Sequence, residues 1–85
     1  DVCSVIEAAD SSLALDRSRK LEIYAEAGIL QYVIVNLGER LVEVYEEPLS
    51  AERRYARRTS HPPGASLDLL AASGRLSVRV DDLLP

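Results

Sequence analysis

The fold of this chain is decided by the stretch LALDRSRKLEIYAEAGILQYVIVNLGERLVEVY, which spans residues 13–45. In residues 13–27 the apolar side chains recur at helical spacing, and Gly28 follows where a left-handed cap commonly ends a helix. Residues 29–37 form a hydrophobic run that is typical of a core strand, and residues 41–45 alternate between two faces as a strand does. The short link that contains Gly38 predicts that these two strands form a hairpin.

Shorter segments on either side complete the predicted fold. DVCSVIE, at residues 1–7, is interpreted as a largely buried strand, and residues 53–58 fit an edge strand or a short helix. Further along we expect, in chain order, a loop at 61–64, peripheral strands at 67–70 and 76–80, and a tail at 81–85. A strand, a helix, a hairpin and further short strands in this order predict an α/β or α+β protein with a mixed sheet.

The predicted sheet has only one main helix to cover it. That helix covers one face, and the remaining segments barely supply a cover for the other face. We therefore expect that a segment preceding Asp1, or a partner chain, docks there. An open sheet edge favours self-association, so a homo-oligomer is expected as well. The predicted architecture is a mixed sheet with one main helix, truncated at its N-terminal side.

Length, charge and cysteine content exclude several classes of protein. The chain has 85 residues, enough for one domain. A formal net charge of -4 provides no electrostatic footprint for non-specific nucleic-acid binding. The sequence shows no long apolar span and no leader peptide, so we expect a cytoplasmic protein without a membrane partner. Cys3 is the only cysteine, which excludes an internal disulfide.

Glu7 and Lys20 have the clearest potential for chemistry. Glu7 ends the first strand, and Lys20, the only lysine, lies at the edge of the apolar stripe of the helix. If the helix packs back on its strand, their carboxylate and ammonium groups converge. Such a pair suits metal-assisted phosphodiester hydrolysis, in which the carboxylate holds Mg²⁺ and the lysine orients water or offsets charge on the phosphate. Asp16 or Asp10 could supply a second carboxylate, or a residue outside this chain could do so.

The same residues also fit a purely structural interpretation. Glu7 would close a strand, and Lys20 would form a surface ion pair with Asp16, worth at most about 0.5 kcal/mol. Periodicity and spacing alone favour this simpler interpretation, because one glutamate and one lysine do not make a motif.

A longer pattern of matched positions resembles a known family. The matched segments lie in a fixed order and spacing: Glu7, Ser11-Ser12, Asp16-Arg17, Lys20-Leu21, Tyr24-Ala25, Gly28-Ile29, Tyr32, Val35-Asn36 and Val42-Glu43-Val44-Tyr45. In these positions the chain resembles the putative restriction endonuclease family of bacteria, a branch of the PD-(D/E)XK nuclease superfamily. The resemblance is close over residues 1–48 and looser beyond them.

The resemblance implies a restriction-endonuclease-like fold and a role for each matched residue. Glu7 corresponds to an acidic metal ligand, Lys20 to the catalytic lysine, displaced onto the helix, and Asp16 to a recurrent aspartate with a supporting role. The family also carries a metal-bridging aspartate well before the glutamate. Since only six residues precede Glu7 here, residues 1–85 are expected to be a partial nuclease-like domain, its C-terminal half.

Two functions from different classes follow as expectations. The first is a Mg²⁺-dependent (or Mn²⁺-dependent) DNA endonuclease-like domain that hydrolyses phosphodiester bonds, with Glu7, Lys20 and Asp16 at its site. The alternative is a catalytically inactive remnant that acts as a small dimerisation or interaction module.

Other polar residues have both a functional and a structural interpretation. The basic cluster at residues 53–58 fits either contacts to DNA phosphates or a solvated edge strand. His61 fits a surface histidine in a proline-rich loop. Tyr24, Tyr32 and Tyr45 fit core aromatic residues with a polar tip better than platforms for base stacking.

Overall fold

The computed structural model describes residues 4–9, 14–71 and 74–84, apart from the side chains of residue 9 and residues 14–17. The elements in chain order are β1 (Ser4–Ala9), α1 (Ala14–Glu26), β2 (Gln31–Asn36), β3 (Leu41–Leu49), a 3₁₀ turn (Ser50–Glu52), β4 (Arg54–His61), β5 (Ser66–Ala71), β6 (Gly74–Arg79) and α2 (Val80–Leu83). This arrangement confirms the predicted α+β class with a mixed sheet and one main helix. Within these described ranges, no helix is long and apolar enough to cross a membrane.

The main sheet has the strand order β1-β2-β3-β4. β1 runs parallel to β2, because the chain crosses over through α1, whereas β2, β3 and β4 are antiparallel neighbours joined by short links. The predicted hairpin is confirmed, and its second strand continues to Leu49, beyond the expected end at residue 45. Residues 53–58, for which an edge strand and a short helix were both open, belong to strand β4.

Gly28 ends α1 as its position predicts. Its φ of 79° lies in the left-handed region, where a glycine avoids the strain of a side chain. The Gly28 amide donates to the Ala25 carbonyl, and the Ile29 amide donates to the Tyr24 carbonyl at 3.0 Å. These two bonds form a Schellman cap, which turns the chain directly from α1 into β2.

α1 packs on one face of the main sheet. Three buried residues of β2 and β3, Tyr32, Ile34 and Tyr45, form the centre of this layer. Leu21 and Tyr24 of α1 pack against them. Because strand side chains alternate between faces, the even-numbered residues of β2 point towards the helix and the odd-numbered ones point away.

The opposite face is covered by the C-terminal part of the chain, which corrects one expectation. β5 and β6 form a two-stranded antiparallel sheet, and α2 follows them. A second buried cluster lies between the two sheets and comprises Val33, Val35, Val42, Val44, Leu67, Val80 and Leu84. The expectation that this face lacks a cover from the chain itself is therefore wrong. Residues 81–84 are not a tail, because Leu84 is buried one helical turn after Val80.

Gln31 joins the two sheets through hydrogen bonds. Its side chain is fully buried, its Nε2 donates to the Asp68 carbonyl at 2.8 Å, and its Oε1 accepts from the Leu70 amide at 2.8 Å. The carboxamide thus bonds the backbone of β5 much as a neighbouring strand would. This contact fixes the second sheet against the start of β2.

Candidate active site

Glu7 and Lys20 meet on the α1 face of the main sheet. β1 places Glu7 opposite Ile34 of β2, and α1 carries Lys20 over the same region. Lys20 Nζ donates to Glu7 Oε2 at 3.2 Å, and the two residues are thirteen positions apart in sequence. Their side chains are 40% and 26% exposed, so solvent and small ligands can reach the pair. The convergence anticipated from helix packing is present.

Tyr32 is a third member of this site that the sequence did not single out for chemistry. Its hydroxyl donates to Glu7 Oε1 at 2.6 Å, while the residue is only 2% exposed. Burial, followed by the hydrogen bond to the Glu7 carboxylate, raises the pKa of Tyr32 well above its ordinary value of 10.0. The phenol therefore remains a hydrogen-bond donor across the physiological range. Tyr32 was interpreted as a core aromatic with a polar tip, and the position of that tip depends on the β1–β2 register.

Asp16 stays a prediction as a supporting residue. Its backbone lies in α1, one turn before Lys20, whereas its side chain is outside the described part of the structure. Asp10, the other carboxylate considered, also lies outside the described residues. Cys3 lies outside them too.

The donor atoms at this site suit a hard divalent cation. Glu7 provides a partly exposed carboxylate, and Mg²⁺ is commonly bound by one or two carboxylates that act together with water and substrate phosphates. Among the side chains that the structure describes, which leave out Asp10 and Asp16, no three His, Cys, Asp or Glu come close enough to form a metal cluster. The role of Glu7 as a metal ligand stays a prediction.

A second carboxylate, that of Glu43, lies on the same face but is closed to solvent. Its Oε2 accepts from Asn36 Nδ2 at 3.2 Å, and its Oε1 accepts from the Tyr45 hydroxyl at 2.8 Å. Arg58 Nη2 lies 3.7 Å from Oε1. The residue is 2% exposed, so this cluster of polar groups contributes to the core of the fold.

The arginines of β4 are paired with carboxylates of the same chain. Arg54 contacts Glu52 at 2.9 Å, Arg57 contacts Glu46 at 3.0 Å, and the guanidinium of Arg58 faces Glu43 as above. Each arginine side chain is more than half exposed. The cluster therefore has the character of a solvated edge strand, which was one of its two interpretations.

His61, at the end of β4, has a local partner. Its Nε2 lies 2.9 Å from Thr59 Oγ1, and the residue is half-buried. The loop predicted at residues 61–64 begins one position later, because His61 still pairs with Val42 of β3.

Comparison with known proteins gives one family and no individual relative. The sequence model of the Uma2 family, described as putative restriction endonuclease, matches residues 1–81. No curated protein and no solved structure matches the chain.

Proposed function

Since the chain belongs to the Uma2 family of putative restriction endonucleases, we propose that residues 1–85 are part of a Mg²⁺-dependent DNA endonuclease domain, with Mn²⁺ as an alternative cation. The family supports a nuclease-like function, and the geometry of one pair of residues supports the position of the site. That pair is Glu7 and Lys20, whose side-chain atoms lie 3.2 Å apart although they come from separate elements. This contact is the observation that carries the proposal.

Glu7 would hold the cation through Oε2, while Oε1 remains bonded to Tyr32. A bound Mg²⁺ would offset the negative charge of the scissile phosphate and make water a better nucleophile. Asp16, one helical turn before Lys20, is proposed to support the lysine or the water near it.

Lys20 would donate hydrogen bonds from its ammonium group to a phosphate oxygen or to the attacking water. A positioned cation of this kind stabilises the charge that develops on the phosphate in the transition state. The partial exposure of Lys20 leaves its ammonium group accessible to a phosphate that approaches from solvent. Its four-carbon stem also allows the ammonium group to move between neighbouring acceptors.

Plasmid nicking tests this function. The natural protein should convert supercoiled DNA to the nicked form with Mg²⁺ or Mn²⁺ and should stop when EDTA is added. Glu7→Gln and Lys20→Ala should each reduce the rate about 10²–10³-fold, the cost typical of losing one electrostatic stabiliser. Arg19→Ala is the matched control, because Arg19 precedes Lys20 in α1 but is exposed to solvent. If Lys20→Ala cleaves as fast as the natural protein, the assignment of Lys20 is wrong.

The alternative function, a dimerisation module without activity, rests on the edges of the main sheet. β1 and β4 are its outer strands among the described residues, and Ile6 of β1 is 47% exposed. An outer strand with unpaired backbone groups can pair with a second copy. Sedimentation velocity should then show a dimer or larger, and a monomer at all concentrations would contradict self-association.

A further inference from the structure

The two oxygens of the Glu7 carboxylate are held by donors of different kinds. Oε1 accepts from the neutral hydroxyl of Tyr32 at 2.6 Å, and Oε2 accepts from the charged ammonium group of Lys20 at 3.2 Å. A cation that binds Glu7 must therefore share an oxygen with one of these two donors.

Tyr32 is the donor that stays hydrogen-bonded to Glu7. Its ring is 2% exposed and lies between two other tyrosine rings, with centroid distances of 4.9 Å to Tyr24 and 6.0 Å to Tyr45. Rotation of this ring away from Glu7 would disrupt the layer between α1 and the sheet. The hydroxyl is consequently a fixed partner of Oε1.

Lys20 is the donor that can be exchanged. Its side chain is 40% exposed, and its contact to Oε2 is the longer of the two. Ion pairs with this degree of exposure are weak, because water competes for both groups. The ammonium group can therefore move to another acceptor at little cost.

We infer that the Tyr32 hydroxyl stays hydrogen-bonded to Oε1 of Glu7, so that Glu7 binds a divalent cation through Oε2 alone. Before the cation binds, the ammonium group of Lys20 donates to Oε2, and the cation then replaces it there. This inference rests on the proposed function and adds an order of events to it. When the cation binds Oε2, the ammonium group of Lys20 leaves Glu7 and can move to the phosphate. Tyr32 acts as a positioning residue, since it touches Glu7 and not the DNA.

Binding of Mn²⁺ in the absence of DNA tests the exchange without reference to cleavage. Free Mn²⁺ can be followed by electron paramagnetic resonance in titrations of the natural protein and its variants. Lys20→Ala removes the competing cation and should tighten Mn²⁺ binding about two- to fivefold, the factor expected from a weak ion pair. Tyr32→Phe removes the group that orients the ligand and should weaken binding about tenfold or more.

Two matched controls separate these effects from general changes in charge and packing. Arg19→Ala removes a positive charge from the exposed side of the same helix. Tyr45→Phe removes a buried hydroxyl that donates to Glu43 instead of Glu7. Both controls should bind Mn²⁺ as the natural protein does, and thermal melts should show that each variant is folded.

The outcomes distinguish the inference from the proposed function. If Glu7→Gln abolishes Mn²⁺ binding but Lys20→Ala binds no more tightly than the natural protein, the exchange is wrong and the metal site stands. If Tyr32→Phe binds Mn²⁺ as tightly as the natural protein does, Tyr32 is not a positioning residue. If Glu7→Gln binds Mn²⁺ normally, or the natural protein binds none, the metal role of Glu7 itself is wrong, and the exchange is wrong with it.

Discussion

Glu7 and Glu43 lie in one row across the main sheet, on the same face, with Ile34 between them. Each carboxylate accepts a hydrogen bond from a tyrosine hydroxyl, Tyr32 for Glu7 and Tyr45 for Glu43. The side chain of Glu7 is 26% exposed and that of Glu43 is 3% exposed. The two carboxylates thus have similar partners but different access to solvent, and access is what distinguishes a ligand site from a core contact.

Glu43→Gln should destabilise the fold. The carboxamide cannot accept hydrogen bonds at both positions, so either Asn36 Nδ2 or the Tyr45 hydroxyl loses its acceptor. A buried donor that has lost its acceptor lowers the free energy of unfolding by about 1–3 kcal/mol. Urea denaturation measures this change. Glu22→Gln, at an exposed position of α1, should change stability by less than about 0.5 kcal/mol. Equal effects of the two variants would contradict the structural role of Glu43.

Leu84→Ala tests the cover on the face opposite α1. Leu84 is 9% exposed and belongs to the cluster between the two sheets. Its truncation should therefore lower the free energy of unfolding by about 2 kcal/mol or more. Leu76→Ala is the control, because Leu76 of β6 is 61% exposed and should tolerate truncation with little loss. If thermal and urea denaturation show the same loss for both, residues 81–84 behave as a tail after all.

Tyr32 and Tyr55 lower the stability of the fold at high pH. Burial raises the pKa of Tyr32 and of Tyr55 above the ordinary value of 10.0, to about 12 for Tyr55. Above pH 10.0 the unfolded chain loses these protons while the folded chain keeps them, so stability is complete below that pH and falls as the pH approaches 12. Each tyrosine lowers the free energy of unfolding by at most about 1.4 kcal/mol per pH unit, and the sum is the slope of stability against pH.

Urea denaturation across this pH range measures the slope. Tyr55→Phe removes one of these protons, so the free energy of unfolding should fall less steeply with pH than in the natural protein. The lost hydrogen bond to the Ile29 carbonyl would lower stability as well. A slope that is the same in Tyr55→Phe and in the natural protein would mean that Tyr55 ionises equally in both states.

The elements that sequence alone predicted are those encoded by neighbouring residues. α1 and its cap at Gly28 follow from helical spacing and from one glycine, and the β2–β3 hairpin follows from two apolar segments and a short link. The meeting of Glu7 and Lys20 was also accessible, because it required only that the helix pack on the preceding strand.

The features that sequence alone missed depend on contacts between distant segments. Tyr32 bonds Glu7 only because β1 pairs in this parallel register, and a shift by one residue would turn Glu7 to the other face. The cover supplied by Val80 and Leu84 was missed because four residues make too short a helix for a recognisable pattern. The supporting role of Asp16 stays a prediction, since its side chain lies outside the described residues.

The mixed pairing of the main sheet has a consequence for folding kinetics. β2, β3 and β4 are joined by short links and can pair early, whereas β1 must close the longer crossover through α1 before it pairs with β2. We expect β1 to dock after the folding transition state, so that the Glu7–Lys20 pair is among the last contacts to form. Val5→Ala, in β1, should then speed unfolding more than it slows folding in stopped-flow measurements, and the opposite partition would place β1 in the folding nucleus. In a partly folded chain, Lys20 would not yet contact Glu7.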